Sequence, residues 1–125
     1  MILVDTSVWV GHLRDGDPEL SKRLDAGVVA THPSVIGELA LENLRRRELI
    51  LRLLHDLPQA AVATDREVLH LIERTPLYGA GVGYIDAQLL ASARLTPGAT
   101  LWTHDKRLLS VARGMGLAAP PPAGS

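Results

Sequence analysis

The sequence predicts an α/β fold with a mostly parallel central sheet flanked by helices. Three observations predict it. Short continuous apolar runs alternate with longer stretches of helical periodicity, the pattern of strand–helix units rather than of hairpins. The runs are apolar throughout, as strands buried on both faces of a parallel sheet are. The helical stretches open on recognisable start signals.

The elements follow in order. Ile2-Leu3-Val4 is the first strand. Asp5 ends it and is able to N-cap a short helix over 6–13. Asp17 before Pro18 puts a cap ahead of a proline at the first helical position. Val28-Val29-Ala30 is the second strand. Ser34 is read as the cap of a helix running to about residue 47, with a second helix close behind over about 48–57. Ala60-Ala61-Val62-Ala63 is the third strand. Thr64 with Glu67 three residues on is a capping box, opening a helix to about residue 74. Pro76, Gly79, Gly81 and Gly83 make 75–83 a loop. A helix follows over about 84–95, then Thr100-Leu101-Trp102-Thr103 as the fourth strand. A last helix is expected over about 106–113, and Leu117-Ala118-Ala119 as a short fifth strand.

The 125 residues suit one domain, placed at 1–119. Pro120-Pro121-Pro122-Ala123-Gly124-Ser125 is expected to be a disordered tail. The absence of Cys excludes disulfides and thiolate metal sites. With no Phe, the core must be aliphatic. A net charge of −1 predicts no polyanion partner by itself, so nucleic-acid binding would need a local basic patch or bound cations. No apolar run reaches the roughly 20 residues of a membrane span. Met1-Ile2-Leu3-Val4-Asp5 has neither the basic stretch nor the long apolar region of a signal peptide. A cytoplasmic protein without membrane contact is expected.

Four acids fall where they should cost stability. Asp5 ends the first strand and Asp105 follows the fourth. Glu38 lies among Val35, Ile36, Gly37, Leu39 and Ala40, and Asp86 opens an otherwise apolar helix. All four sit near the carboxyl edge of the sheet, where sites form in such folds. Two like charges about 4 Å apart repel by about 4 kcal/mol at an effective dielectric of about 20. A cluster of four therefore calls for protons or cations. All-oxygen ligands suit Mg²⁺ or Mn²⁺, ions that act on phosphate esters. Each acid also has a purely structural reading: Asp5 and Asp105 as N-caps, Asp86 as a first-turn acid favoured by the helix dipole, Glu38 as an exposed helix residue.

These residues resemble a known family. Val4-Asp5-Thr6-Ser7-Val8-Trp9 looks like the opening motif of PIN domains, and Gly37-Glu38-Leu39-Ala40 resembles their second acidic motif. Tyr84-Ile85-Asp86-Ala87-Gln88-Leu89-Leu90-Ala91 resembles the third, and Leu101-Trp102-Thr103-His104-Asp105-Lys106-Arg107-Leu108 the fourth. Four motifs in order over nearly the whole chain are specific where one is not. The compact length further resembles VapC toxins, which pair with VapB antitoxins. The resemblance implies a parallel sheet of order 3-2-1-4-5, with the first and fourth strands side by side. It implies Mg²⁺- or Mn²⁺-dependent endoribonuclease activity, an RNA substrate, a VapB-like antitoxin and a homodimer. Asp5 and Asp86 carry over as principal metal ligands. Glu38 and Asp105 carry over as acids that bind metal or orient water. Thr6 or Ser7, with Thr103, would be the hydroxyls that hold carboxylates in place. Glu42, one turn beyond Glu38, is placed to share or replace its role.

Other residues divide between structure and site. Arg45-Arg46-Arg47 with Arg52 is read as a solvated helix end before an RNA grip. Lys106, Arg107 and Arg113 adjoin the fourth motif and are equally open to either. His104 is read as a bystander and Trp9 and Trp102 as core. The stripe Leu49, Ile50, Leu53, Leu54 is core or a partner groove. A receiver-type signalling domain would need a paired acid after the first strand and a Lys after the fifth. A haloacid-dehalogenase-like phosphatase needs a second Asp where Ser7 stands. A PIN-like fold that has lost catalysis and only binds partners is the remaining alternative, and the complete acid set argues against it. The identity of the RNA is not encoded in any of these features.

Overall fold

A computed structural model describes residues 1–121. Its centre is β1 (Ile2–Val4), with β2 (Val29–Ala30) on one side and β3 (Thr100–Trp102) on the other, both parallel to it. Seven helices surround the strands among the described residues: α1 (Thr6–Asp15), α2 (Pro18–Asp25), α3 (Pro33–Ala40), α4 (Arg47–Asp56), α5 (Asp65–Arg74), α6 (Tyr84–Leu95) and α7 (Lys106–Gly114). The expected α/β class and the adjacency of the first and fourth predicted strands are both present. The aliphatic core is too: Leu3, Val4, Val8, Leu20, Leu90 and Leu101 are fully buried.

The five-strand expectation is met by three strands and two single bridges. Thr31 pairs with Gln59 beside β2, and Leu101 pairs with Ala118 beside β3. The order is thus 3-2-1-4-5 in outline, with both edges reduced to one residue. At the first edge, Pro58 has no N–H, Ala60 N–H donates to the Thr31 carbonyl (2.9 Å), and α6 takes donors of the run beyond it. Ala61 N–H donates to Thr96 Oγ1 (2.9 Å) and Ala63 N–H to Ser92 Oγ (3.1 Å). From Ala61 on, the run is therefore bound to a helix rather than to a strand. At the other edge, Leu101 exchanges bonds with Leu117 and Ala119, and Pro120 then ends the pairing. The Pro120 carbonyl accepts from Arg23 Nη2 (2.9 Å), and the Arg23 guanidinium lies 4.5 Å from the Trp102 ring centroid. Residues 122–125 of the expected tail lie outside the described residues.

Several helix signals act as read. Asp17 caps α2 through Glu19 and Leu20 N–H, and Thr64 with Glu67 forms the capping box of α5. Two expectations about α3 are corrected. Its cap is His32, not Ser34: with Pro33 first in the helix, Ser34 becomes a donor, and its N–H reaches His32 Nδ1 (3.0 Å). The helix also stops at Ala40 rather than near 47, because Arg47 Nη2 reaches back to the Ala40 carbonyl (2.8 Å) and Arg46 adopts a left-handed φ of 54°. The arginine run therefore opens α4 instead of ending α3. Arg47 still supplies a cation where the α3 dipole favours one.

His32 ties three elements together. With Nδ1 accepting, its ring proton is on Nε2, which donates to fully buried Ser92 Oγ on α6 (2.9 Å). Ser34 Oγ adds a second bond from α3 to α6, to Gln88 Oε1 (2.7 Å). Burial lowers the His32 pKa from its ordinary 6.5, so the folded ring resists the proton that the unfolded chain accepts. Below that pH the unfolded state binds more protons, and stability declines as pH falls. Replacing His32 by Ala removes a cap of about 1 kcal/mol and one of the two bonds of buried Ser92, which keeps the Ala63 N–H and so loses roughly 0.5–1.5 kcal/mol. Urea denaturation of His32→Ala at neutral pH is expected to show a loss of about 1.5–2.5 kcal/mol. The acid-side decline attributable to this ring should disappear in the variant.

Candidate active site

The site forms where β1 and β3 end together. Val4 pairs with Trp102, and Asp5 N–H donates to the Trp102 carbonyl (2.9 Å). The next residues, Asp5 and Thr103, are consequently neighbours across the sheet edge. Asp5 occupies the N-cap position of α1, yet its side chain makes no capping bond. Its Oδ2 instead accepts from Ser7 Oγ (2.8 Å) and Thr103 Oγ1 (2.7 Å). Each hydroxyl has one proton to give, so the two lean on one carboxylate oxygen at the expense of each other. Both also accept backbone bonds, Ser7 Oγ from His104 N–H and Thr103 Oγ1 from Asp105 N–H, each 3.0 Å. Asp5 is buried, with 6% of its surface exposed.

The other three acids are tethered in the same way. Glu38 on α3 accepts from Thr6 Oγ1 on α1 (2.6 Å) through Oε1. Asp86 on α6 accepts from Gly83 N–H (3.1 Å) through Oδ2. Asp105 caps α7, with Oδ1 accepting from Arg107 and Leu108 N–H. Its structural reading is thus real, and it does not remove Asp105 from the cluster. Among the described residues, every one of the four carboxylates spends one oxygen on protein donors and leaves the other without one.

The acids sense one another. Partial burial pushes the Asp86 pKa up, the Gly83 N–H pulls it down, and the charges of Asp5, Asp105 and Glu38 push it up again. All four predicted acids therefore share one field. Glu42 does not join them. α3 ends before it, and Glu42 lines a separate cavity of about 430 Å³ with Val10, Leu13 and Arg14. Thr6 and Ser7 both act, on different acids, where the sequence left a choice between them. Trp9 is buried in the core as expected, whereas Trp102 is half-buried beneath Arg23. His104 is exposed, its ring edge-on to Trp102.

Sequence reasoning missed His32, Ser92 and Gln88, which hold α3 against α6. The proline at 33 was the available signal for His32. It also missed how Arg107 sits. Gly81 has a φ of +81°, and a Cβ there would stand 2.7–2.8 Å from Arg107 Cδ and Nη1. The guanidinium therefore lies against the bare backbone of loop 75–83, between the helices that carry Asp86 and Asp105.

The donor set is all oxygen and negatively charged, which fits a hard divalent cation. One free oxygen on each tethered carboxylate fits it as well. Among the described residues, no three of these groups close into a finished cage. What they offer is a shared negative field and one free oxygen on each acid.

A sequence profile of the PIN domain matches residues 2–114. Ribonuclease VapC32 of Mycobacterium tuberculosis (strain ATCC 25618 / H37Rv) is 48% identical over 118 residues, which cover 94% of this chain and 95% of that protein. The same protein from strain CDC 1551 / Oshkosh matches equally.

The crowding has a measurable sign. A raised folded pKa means that native Asp86 binds protons more readily than the unfolded chain does. In the absence of metal, stability should then fall as pH rises from the ordinary carboxylate range through the raised value. Thermal melts of metal-free protein across mildly acid to neutral pH should show this fall. Asp86→Asn should flatten it and melt higher at neutral pH. An unchanged slope in the variant would place the pH dependence elsewhere.

Proposed function

The chain belongs to the PIN-domain family and is a VapC-type ribonuclease, and on that premise we propose that Asp5, Glu38, Asp86 and Asp105 form its hydrolytic centre. The observation that carries this reading is the common tethering. Four acids, from a strand end (Asp5), two helix starts (Asp86 and Asp105) and the last turn of α3 (Glu38), each keep one oxygen free in a shared negative field. A stability role alone would not gather them, since their mutual repulsion opposes folding.

In this reading Asp5 and Asp86 are the principal ligands of Mg²⁺ or Mn²⁺. A divalent cation, when bound, lowers the pKa of water and stabilises charge on the phosphate and the leaving oxygen. Ser7 and Thr103 fix the Asp5 carboxylate, and so limit which lone pairs of Asp5 it can offer. Thr6 does the same for Glu38. Glu38 and Asp105 flank the pair and bind the ion or orient the attacking water. Arg107, beside Asp105, is placed to meet an RNA phosphate. The substrate bond is an RNA phosphodiester, cut endonucleolytically.

The reading extends to partners: a VapB-like antitoxin, and a second copy of the chain in a homodimer. Support for the antitoxin surface comes from an apolar hollow of about 230 Å³ between α1, α2 and α4. Trp9, Leu24, Leu53 and Leu57 help to line it. Leu53 is 52% exposed, and the buried Trp9 Nε1 has no acceptor among the described residues. Such a hollow suits the apolar face of a helix. No helix among the described residues is long and apolar enough to cross a membrane.

Two outcomes test the reading. RNA cleavage should stop in EDTA and return with Mg²⁺ or Mn²⁺, and Asp5→Asn should reduce kcat by at least about 100-fold, as removal of a key charge-stabilising group does. Gel-resolved cleavage of labelled RNA is the measurement, and activity that survives both treatments sinks the metal centre. For the antitoxin, a basic side chain entering the acid cluster would inhibit by replacing the cation. Changing that residue to Ala in the antitoxin should leave the complex intact on gel filtration but restore cleavage. Undiminished inhibition would point to steric blockade instead.

A further inference from the structure

We infer that loop 75–83 and the start of α6 form a stacking subsite for one unpaired nucleobase of the RNA, next to the acid cluster. The inference rests on the ribonuclease reading and deepens it by naming the surface that takes an unpaired base.

The chain has two tyrosines, Tyr78 and Tyr84. Both are exposed, by 68% and 43%, and both line one cavity of about 200 Å³. Leu77 and Ala87, each nearly fully buried, line it as well. No charged side chain does. The volume lies below the roughly 300–1,000 Å³ of sites for drug-sized ligands. It suits a single flat ring system.

Its position favours a base over other apolar groups. Ala87 directly follows Asp86, and Gly83, also in the lining, donates its N–H to Asp86. The cavity and a proposed metal ligand thus share one turn of helix. The loop that lines the cavity also carries Arg107 against Gly81. An apolar slot, a cation and a proposed metal ligand thus meet on one loop and the helix start that follows it.

Tyr84 is prepared for this role. Its hydroxyl donates to Asp65 Oδ1 on α5 (2.7 Å), and that bond, with Asp65's charge, raises its pKa. The phenol stays neutral and its polar end is spent on Asp65, so the ring is held in one orientation. Stacking on a held ring costs little ordering entropy. The lining offers the edges of a base few side-chain hydrogen bonds, so the subsite accepts purines and pyrimidines alike. A base can enter only when it is out of a helix.

The test uses a short single-stranded RNA bearing a fluorescent purine analogue and the full chain in EDTA, where no cleavage interferes. Binding should quench the analogue. Tyr84→Ala should weaken binding by roughly 5- to 150-fold, the range for loss of one stacking ring, and Tyr84→Phe should recover most of it, short of the part that the Asp65 bond supplies by holding the ring. Circular dichroism of both variants should match the parent, since the ring is exposed. With Mg²⁺, Tyr84→Ala should raise KM while single-turnover cleavage at saturating RNA persists. Quenching that Tyr84→Ala leaves intact overturns the subsite. So does a Tyr84→Ala variant that binds RNA normally and loses only a protein partner. Quenching that depends on Tyr84 in a protein that never cleaves RNA would uphold the subsite and count against the hydrolytic reading alone.

Discussion

The parallel pairing of β1 with β3 is the constraint on which the rest depends. Their register sets Val4 against Trp102, and the following residues inherit that alignment. Asp5 and Thr103 meet because their strands end level. A shift of one residue would turn every side chain of β1 to the opposite face. It would carry Asp5 away from Thr103. The same three-residue strand therefore specifies both the core and the position of its acid.

Around that fixed point the protein manages a liability. Four carboxylates repel, and the fold holds them by local donors rather than by countercharges. Ser7, Thr103, Thr6 and the Gly83 amide each satisfy one oxygen of an acid. Hydroxyls and amides orient a carboxylate without neutralising it, so the negative field survives where an arginine would have cancelled it. The pair His32–Ser92 and the bond from Ser34 to Gln88 do the heavier work of keeping α3 and α6 together against that repulsion.

Much of this was legible in the chain because the signals are local. Thr64 and Glu67 announce α5, Asp17 and Pro18 announce α2, and the span of α6 emerges from the glycines before it and the periodicity within it. The four acids were singled out by their place at strand ends and helix starts and by likeness to PIN motifs, although Glu38, read as lying in the first turns of its helix, sits in the last turn of α3. What escaped was decided by distant partners. Residues 60–63 read as a strand, but hydroxyls more than 25 positions away claim the donors of Ala61 and Ala63. The end of α3 depends on Arg47 folding back from the next helix. Glu42 looked one turn beyond Glu38, and lost that relation when the helix stopped early.

Gly81 and Arg107 carry a consequence for how such a chain can change over time. The backbone at 81 has a left-handed φ, and the space a side chain would need is filled by the guanidinium stem. A larger residue at 81 evicts Arg107, and a shorter residue at 107 opens that space while the left-handed φ still favours glycine. The two positions, 26 apart in sequence, are thus coupled in one direction. Lineages that keep the arginine should keep the glycine, and those that lose the arginine still carry the backbone's own preference at 81.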